Sequence, residues 1–308
     1  MKSRFVRAHR LLVFWTLFVG IGAVAGALGM LLDPTGRAMG MDAMLPYFQK
    51  LPFADALFSN FTFSGIALLC VNGLPNLAAA WLLLRRKRAG VVCGGIFGVT
   101  LMLWICIQFD MFPLNFMSTA YFIFGLAQAA TGYAAHVFAK QEAFAAQARA
   151  YPHLGENPAR LVVYFSRMGY AERLALEEAN RTGARAFRLR ANERIEGTAG
   201  FWQCGRFGLC HWDMPLCEMP QNLSQYEHVT ICSPIWVFAL STPVRAFCRA
   251  AKGQIREADY LLVHHTRGRY TNAANEMDAL LGLHRTGLRS VCCQKGTYKS
   301  EWSESHSD

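Results

Sequence analysis

Charged residues are scarce in this sequence: Lys, Arg, Asp and Glu make up 17% of its 308 residues, whereas hydrophobic types make up 53%. An ordinary soluble domain is about a quarter charged. Between Leu11 and Phe138 nearly every charge lies in a short connecting segment, and after Lys140 charges return at an ordinary density. This division excludes a protein that is soluble along its whole length, and it predicts two parts of different character.

The sequence also lacks the ligand spacing of common metal and haem sites. Cys204, Cys210, His211 and Cys217 form a loose group, but its cysteines are separated by five and six residues, not by the tight spacing of a zinc site. His136 is the one histidine within an apolar stretch, and a transmembrane b-type haem normally needs two. We therefore predict no metal or haem, and ordinary half-buried thiols in the loose group.

Four long apolar stretches are present in the first part of the chain. Each approaches or exceeds the ~20 residues that a helix needs to cross ~30 Å of hydrocarbon. The first runs for about 22 residues, beyond the 7–15 residues typical of a secretory signal core, which favours a retained helix. The sequence therefore predicts an α-helical transmembrane bundle of four spans. The stretches are Leu11–Leu32, Phe61–Leu84, Val91–Phe109 and Met117–Phe138.

Basic residues predict how these spans are oriented. Four Lys or Arg precede the first span and four more, at 85–88, separate the second from the third. The intervening loop Asp33–Asn60 carries only Arg37 and Lys50 against three Asp. The positive-inside rule then places the N-terminus and the second part of the chain on the cytoplasmic side of the cell inner membrane. The basic runs are explained by the lipid bilayer, so no nucleic-acid partner is expected, and disulfides are unlikely in a reducing compartment.

The second part of the chain alternates short β-rich runs with helical stretches. We divide the sequence into a transmembrane domain at 1–140, a linker at 141–159, an α/β domain at 160–298 and a polar tail at 299–308. Such alternation predicts an open, doubly wound parallel sheet of five strands. The predicted strands are Leu161–Phe165, Ala184–Leu189, His228–Ser233, Tyr260–Thr266 and Leu288–Cys293.

Ligands of such sheets bind beyond the carboxyl ends of the strands. Three strand-end loops are therefore candidates: Ser166–Ala171, Pro234–Leu240 and Arg267–Thr271. The first precedes a predicted helix, where free backbone N–H groups and the helix dipole favour a phosphate. The second carries Trp236 and Phe238, on which a flat aromatic group could stack.

Two segments resemble the flavodoxin-like family. The run at 161–171, LVVYFSRMGYA, is similar to the first strand and phosphate loop of that family, and the run at 233–247, SPIWVFALSTPVRAF, resembles its flavin-ring loop and following helix. The resemblance covers about residues 160–298 and implies a flavodoxin-like fold that binds FMN. The residues it implies for the cofactor are Ser166, Arg167, Met168, Gly169, Tyr170, Ala171, Pro234, Ile235, Trp236, Val237, Phe238, Thr266, Arg267 and Gly268.

The phosphate loop departs from the family pattern at two positions. Met168 and Ala171 stand where the family has hydroxyl residues, although Ser166 and Gly169 are kept. Each missing hydrogen bond to a charged phosphate would contribute about 1.5–3 kcal/mol.

Two functions stay open: a membrane-anchored oxidoreductase that transfers electrons through FMN, or a degenerate, flavin-free domain that serves as a binding or regulatory module of the bundle. A transporter lacks support, because the spans show no broken-helix repeats.

The net charge of the second part of the chain bears on its electron donor, and the positions of two histidines bear on catalysis. Residues 159–308 carry 19 Lys or Arg against 15 Asp or Glu, a net of +4. This sign suits an anionic NAD(P)H donor or acidic lipid better than it suits a mobile acidic carrier. A quinone is the natural membrane acceptor, although no quinone pocket is evident in the sequence. No catalytic acid or base is assigned; His264 and His265 point to opposite faces of a strand, so at least one is expected to be structural.

Overall fold

The computed structural model describes residues 4–146 and 151–305, and the chain divides into two compact units, Met1–Ala139 and Lys140–Asp308. Four helical segments in the described residues are long and apolar enough to cross a membrane. They confirm the four predicted stretches as helices; the first, third and fourth are longer than predicted, whereas the second begins one residue later than predicted. They are α1 (Arg4–Leu32), α3 with α4 (Thr62–Leu68 and Leu74–Leu84), α5 (Arg88–Met111) and α6 (Phe116–Ala146).

The second spanning segment contains a π-helical turn, Leu69–Gly73, between α3 and α4. Pro75 follows in the first turn of α4, where its missing N–H costs least. The Asn76 amide donates to the Asn72 carbonyl (2.8 Å) and accepts from Gln128 Nε2 (2.7 Å). Gln128 Nε2 also donates to the Gly94 carbonyl (2.8 Å), so a neutral amide network joins α4, α5 and α6.

Close contact between α5 and α6 depends on glycine. A methyl group added at Gly98 would lie 2.5 Å from the backbone nitrogen of Ala129 and 2.7 Å from the Gly125 carbonyl oxygen. Small residues of this kind let helix backbones approach in a membrane, where lipid tails remove the hydrophobic drive for association. Gly98 is thus a packing residue of the first unit. The long loop between α1 and α3 contains only short helical turns, among them α2 (Ala54–Leu57).

The second unit is built on one mostly parallel sheet. Five parallel strands run in the spatial order β2-β1-β3-β5-β6, which is the 2-1-3-4-5 order of flavodoxin-like sheets when the short β4 is left out. The antiparallel β7 lies beside β6, and β4 pairs with the end of β3. The strands are β1 (Asn157–Tyr164), β2 (Ala184–Arg188), β3 (His228–Trp236), β4 (Ala239–Leu240), β5 (Glu257–His264), β6 (Gly287–Gln294) and β7 (Thr297–Ser305).

Helices cover both faces of this sheet, and the burial of β1 follows from that. Leu161, Val163 and Phe165 belong to one hydrophobic cluster, whereas Val162 and Tyr164 belong to the cluster on the opposite face. A strand buried on both sides reads as a continuous apolar run, which explains why this strand was predictable. The helices are α7 (Tyr170–Thr182), α8 (Gly197–Leu209), α9 (Thr242–Ala250) and α10 (Thr271–Leu281).

Three sequence-based assignments differ from the structure: the strand count, the polar tail and the linker. The predicted five-strand count was too low because β4 has only two residues and β7 is polar along its length. The polar tail predicted at 299–308 instead forms most of β7 over its described residues, and strand pairing runs from Gly287 with Ser305 to Gln294 with Thr297. A polar outer strand is a common way to protect a sheet edge, and it carries little hydrophobic signal. The predicted linker also contains the end of α6 and the start of β1.

Candidate functional site

The candidate site lies at the carboxyl edge of the parallel sheet. Strand order reverses between β1 and β3, because β2 lies on one side of β1 while β5 and β6 continue on the other side of β3. Loops after two such strands leave the sheet in opposite directions and open a crevice, which is where ligands of doubly wound sheets bind. The loops after β1, β3 and β5 therefore define the site.

The loop after β1 forms a closed turn at the start of α7. Ser166 is buried, and its Oγ accepts a hydrogen bond from the Gly169 backbone N–H (3.0 Å). Gly169 has φ 89° and caps α7, which favours glycine because other residues are strained there. A methyl group at Gly169 would also lie 2.5 Å from Ala145 Cβ, within the second unit. The turn presents the amino terminus of a 13-residue helix, a general setting for an anion.

Arg167 is directed away from this turn. Its Nε donates to the Ile195 carbonyl (2.8 Å) and its terminal nitrogen to the Gly197 carbonyl (3.0 Å). Its guanidinium also lies 5.4 Å from the centre of the Phe201 ring. These contacts tie the loop after β1 to the start of α8, so Arg167 fixes α8 in addition to any role near a ligand.

The loop after β3 is a tight β-hairpin. Trp236 pairs with Ala239, and the two turn residues, Val237 and Phe238, have φ of 49° and 63°. Positive φ is uncommon for non-glycine residues and is a true outlier for a β-branched one. Such strain clusters at functional loops, where neighbouring structure holds it in place. Phe238 is 66% exposed at the tip.

The loop after β5 is organised by His264. Its Nδ1 lies 2.6 Å from the Thr266 carbonyl and its Nε2 lies 3.0 Å from Ser290 Oγ. Burial lowers the pKa of His264, so the neutral ring is favoured and acts as a structural bridge. This agrees with the expectation that one of the two adjacent histidines is structural. The Thr266 and Tyr270 hydroxyls also form a hydrogen bond across the loop.

Two ring contacts bring the three loops together. Phe165 meets Trp236 edge-on at 5.4 Å, joining the first loop to the second. Tyr170 meets His265 edge-on at 5.5 Å, joining the first loop to the third. The predicted residues are therefore neighbours in space, but they differ in access. Buried are Ser166, Gly169, Tyr170 and Ala171; half-buried are Arg167, Met168, Pro234, Ile235 and Trp236; exposed are Val237, Phe238, Thr266, Arg267 and Gly268.

The sequence analysis missed α8, which lies in the long connection between β2 and β3. Phe201 and Trp202 in α8 are 58% and 70% exposed, and Gly208 approaches the side chains of Val237 and Trp236. Helix α8 is therefore next to the hairpin and contributes exposed aromatic rings near the site. Its glycine-rich, aromatic composition gives no clear helical pattern, although the adjacent aromatic pair was a signal worth attention.

Arg245 is a second feature that the sequence analysis missed. It is 2% exposed, donates to both carboxylate oxygens of Glu276 (2.5 and 3.3 Å) and lies 3.0 Å from His211 Nδ1. Because it follows the hairpin in α9 and Glu276 lies in α10, this ion pair fixes two helices that start from the site. The resemblance at 233–247 had suggested this helix, but it gave no role to Arg245.

Metal-binding clusters of three or more His, Cys, Asp or Glu are absent among the described residues. The loose cysteine group does not converge: Cys204 is buried, while Cys210 and Cys217 are exposed. Burial raises the pKa of Cys204 and raises that of Cys293 to about 12. Neutral thiols are weak nucleophiles and weak ligands, which argues against redox or metal chemistry at these two cysteines.

A cleft of about 880 Å³ in the second unit is remote from these loops. It is lined by residues of the last turn of α10 and the loop before β6, among them Asp278 and Arg285. Arg285 is held there by Asp278 (2.5 Å) and Asn275 (3.0 Å). This edge carries the amino ends of the parallel strands, so it is the wrong side of the sheet for a ligand of this fold.

Comparison with known proteins gives only distant likenesses. No family model matches the chain, and no curated protein sequence matches it either. A candidate flavoprotein from Bacteroides eggerthii DSM 20697 is 15% identical with a TM-score of 0.37, over 41% of this chain and 82% of that one. A flavoprotein from Lactobacillus acidophilus NCFM, solved with FMN, is 17% identical with a TM-score of 0.34, over 42% of this chain and 90% of that one. At these sequence identities and TM-scores, neither likeness shows that this chain binds the same ligand.

Proposed function

We propose that this chain is a membrane-anchored, flavodoxin-like electron-transfer protein that binds FMN at the cytoplasmic face of the inner membrane. The observation that carries the proposal is the closed Ser166–Gly169 turn at the switch point of a sheet with 2-1-3-4-5 order. FMN supplies the electron or hydride chemistry when it is bound, and the protein positions the ring and tunes its potential.

The phosphate is assigned to the turn after β1. In this proposal it accepts hydrogen bonds from the Ser166 hydroxyl and from backbone N–H groups of 167–171 other than that of Gly169, which is bonded to Ser166 Oγ. The dipole of α7 favours the negative charge there. Met168 and Ala171 supply no hydroxyl, so affinity rests on fewer side-chain contacts than is usual in the resembling family.

The flavin ring is assigned to the space beside Trp236 and the Thr266–Gly268 loop. Trp236 is half-buried and held edge-on by Phe165, so its orientation is fixed before a ligand arrives. Phe238 is exposed beside it and is free to cover a flat ring from the hairpin tip. Base–aromatic stacking contributes about 1–3 kcal/mol per ring in nucleic-acid complexes, and we expect a similar magnitude here.

The membrane part of the proposal rests on the four apolar helices and the basic residues around them. The net charge of +4 over residues 159–308 supports an anionic electron donor such as NAD(P)H, and a quinone is the proposed acceptor.

The orientation of the spans is tested by reporter fusions. Fusions after Arg88 and after Lys140 should give a cytoplasmic signal, and one at Gly40 should give an external signal. A cytoplasmic signal at Gly40 would reject this orientation.

A specific set of contacts favours a second function, that of a flavin-free regulatory domain. Arg167 is bonded to the start of α8, and Gly169 is required by its positive φ and by Ala145 even without a phosphate. Two features of the loop that resemble the flavodoxin-like pattern thus have structural reasons of their own. In that case the loop keeps its shape for packing and binds no phosphate.

Flavin titration separates the two functions. We expect full-length protein in mild detergent to be yellow, and Met168→Thr to bind FMN roughly tenfold more tightly by adding a hydrogen bond to a charged group. Met168→Leu is the matched control, because it changes the side chain without adding a hydroxyl. Trp236→Ala should weaken binding by about 1–3 kcal/mol. If neither the wild type nor Met168→Thr binds FMN, the flavin-free function is the better one.

A further inference from the structure

The first unit contains a cavity of about 680 Å³ that the proposed flavin chemistry does not use. Its walls come from α1, α3, α5 and α6 together with the loop between α1 and α3. The volume is within the range of about 300–1,000 Å³ that is typical of small-molecule sites. It extends from the middle of the helices toward the end that carries that loop.

Asn72 is an unpaired amide in the wall of this cavity. Its side chain is 0% exposed, and within the part of the chain that the structure describes neither Nδ2 nor Oδ1 has a hydrogen-bond partner. Leaving a buried polar group unpaired costs about 1–3 kcal/mol, so such a group calls for a partner. Its neighbour Asn76 is bonded on both sides, which shows that the bundle can satisfy an amide at this depth.

The local backbone and a second side chain support the same conclusion. Asn72 lies in the π-helical turn Leu69–Gly73, and π-turns inside α-helices are frequent at functional sites. Ser64, two turns earlier, is 7% exposed and also has a buried, unpaired Oγ in the cavity wall. One spanning segment therefore has two buried, unpaired polar groups on residues that line the same cavity.

The remainder of the wall limits the ligand's chemistry. Among the described residues that line the cavity, none carries a charge, so a phosphate headgroup or a metal ion finds no ionic partner there. Aromatic rings, including Phe48, Trp104 and Tyr121, line it and suit a flat ring. The polar groups are neutral amides and hydroxyls. This combination describes a neutral, flat, hydrogen-bonding head attached to an apolar chain.

We propose that this cavity binds an isoprenoid quinone, with a ring oxygen at Asn72. An amide suits both redox states, because Nδ2 donates to a quinone carbonyl and Oδ1 accepts from a quinol hydroxyl. The apolar tail occupies the remainder of the cavity and continues into the bilayer. The assignment rests on the proposed function in one respect, because that function names a quinone as the acceptor. Binding itself is measured without electron transfer, and all lining residues belong to the first unit, so it can be tested apart from FMN.

The test is binding of decylubiquinone to full-length protein in lipid nanodiscs, followed by quenching of tryptophan fluorescence. We expect saturable binding that decylbenzene, which has the tail but no carbonyls, does not compete. Asn72→Leu and Ser64→Ala should each weaken quinone binding roughly three- to tenfold. Asn72→Leu should leave the ligand-free protein as stable as before, or more so, because it removes an unpaired amide.

Asn76→Leu is the matched control in the same spanning segment. It breaks the bond from Gln128, so it should lower stability in the ligand-free protein, which Asn72→Leu does not. Three outcomes would overturn the proposal: no saturable binding in the wild type, equal competition by decylbenzene, or unchanged affinity in both Asn72→Leu and Ser64→Ala. FMN titration of the same samples reports separately on the proposed flavin function.

Discussion

The two units of this chain bury polar groups by different means. In the α/β unit, buried charges are paired: Glu178 accepts hydrogen bonds from Arg181 (2.6 Å) and Arg289 (2.8 Å), and Arg245 pairs with Glu276. In the helical unit the buried polar groups are neutral, and the amides of Asn76 and Gln128 bond across helices. The difference follows from the solvent each unit faces, because an unpaired or partly paired charge is far more costly in hydrocarbon.

This comparison identifies where each unit departs from its own rule. Arg285 and Arg245 leave one nitrogen unpaired but are each held by a carboxylate. Asn72 has no partner for either side-chain atom among the described residues. A buried polar residue that is neither paired with a charge nor bonded to another amide is best explained by a ligand, and Asn72 in the helical unit is such a residue.

Removing Arg245 tests the charge network and should give the largest effect. Arg245→Ala leaves Glu276 unpaired in a partly buried position, and breaking a buried pair costs about 3–5 kcal/mol. We expect the lower end, because the Glu276 side chain is 31% exposed. Arg249→Ala, in the same helix, is the control: Arg249 is 62% exposed in its pair with Asp213, and such pairs contribute about 0–1 kcal/mol.

Chemical unfolding of the full-length variants, followed by circular dichroism in detergent, measures both changes. Equal losses for Arg245→Ala and Arg249→Ala would contradict the distinction between buried and surface charge pairs. Equal losses would also remove the reason for treating Arg245 as a residue that stabilises the loops of the candidate site.

The elements with strong hydrophobic patterns were predictable, and those without were not. The four spanning helices and four of the five parallel strands follow from apolar runs, because lipid or packed helices surround them. The edge strand β2 is mostly exposed and was predicted from the alternation of β-rich and helical segments. Helix α8 and strand β7 lack such runs, since α8 is rich in glycine and exposed aromatic rings and β7 is polar. Their places are set by tertiary contacts, such as Arg167 with Ile195 and the pairing of β7 with β6.

The candidate site was predictable in location but not in detail. Strand-end loops are expected from the fold, and the aromatic and glycine residues were evident in the sequence. The engagement of Arg167 by α8, the positive φ of Val237 and the burial of Arg245 depend on three-dimensional packing. Likewise, the apolar pattern of the second span indicates no difference between Asn72 and Asn76, although only Asn76 is bonded through its side chain.

Helix packing in the first unit is tested by two glycine substitutions, one at a close backbone contact and one at an ordinary contact. Gly98→Ala places a methyl group 2.5 Å from backbone nitrogen, so the α5–α6 contact must open; overpacking of this kind costs about 1–3 kcal/mol. Gly22→Ala is the control, because its nearest neighbour is the Tyr121 hydroxyl at 3.4 Å, an ordinary contact.

Unfolding in mixed detergent, with helicity as the readout, compares the two glycine variants. We expect Gly98→Ala to unfold at lower denaturant than the wild type, and Gly22→Ala to match it. If Gly98→Ala is neutral, the helices are less closely packed than described, and the contrast between the two units weakens.

The smallest expected effect concerns a histidine at the start of β3, and it tests whether charge pairing in the α/β unit extends to titratable groups. His228 Nε2 lies 2.6 Å from Asp259 Oδ1, and this hydrogen bond raises the pKa of His228 above its ordinary value of 6.5. Glu257 also raises that pKa, whereas burial and the nearby Arg160 lower it. The folded state therefore binds more protons than the unfolded state. Stability from this pair is full below the ordinary pKa and is lost as pH rises through the folded pKa.

We expect the free energy of unfolding of the wild type, relative to His228→Gln, to fall as pH rises above about 6.5. Asp259→Asn should remove the same pH-dependent difference, and the double variant should behave as either single one, because both changes delete one interaction. Burial of His264 acts in the opposite direction, since its lowered pKa costs stability as pH falls. This contribution of His264 is common to all the variants and cancels when their free energies of unfolding are compared. Additive effects of the two substitutions, or a wild-type advantage that grows as pH rises, would show that the hydrogen bond between His228 and Asp259 does not stabilise the fold.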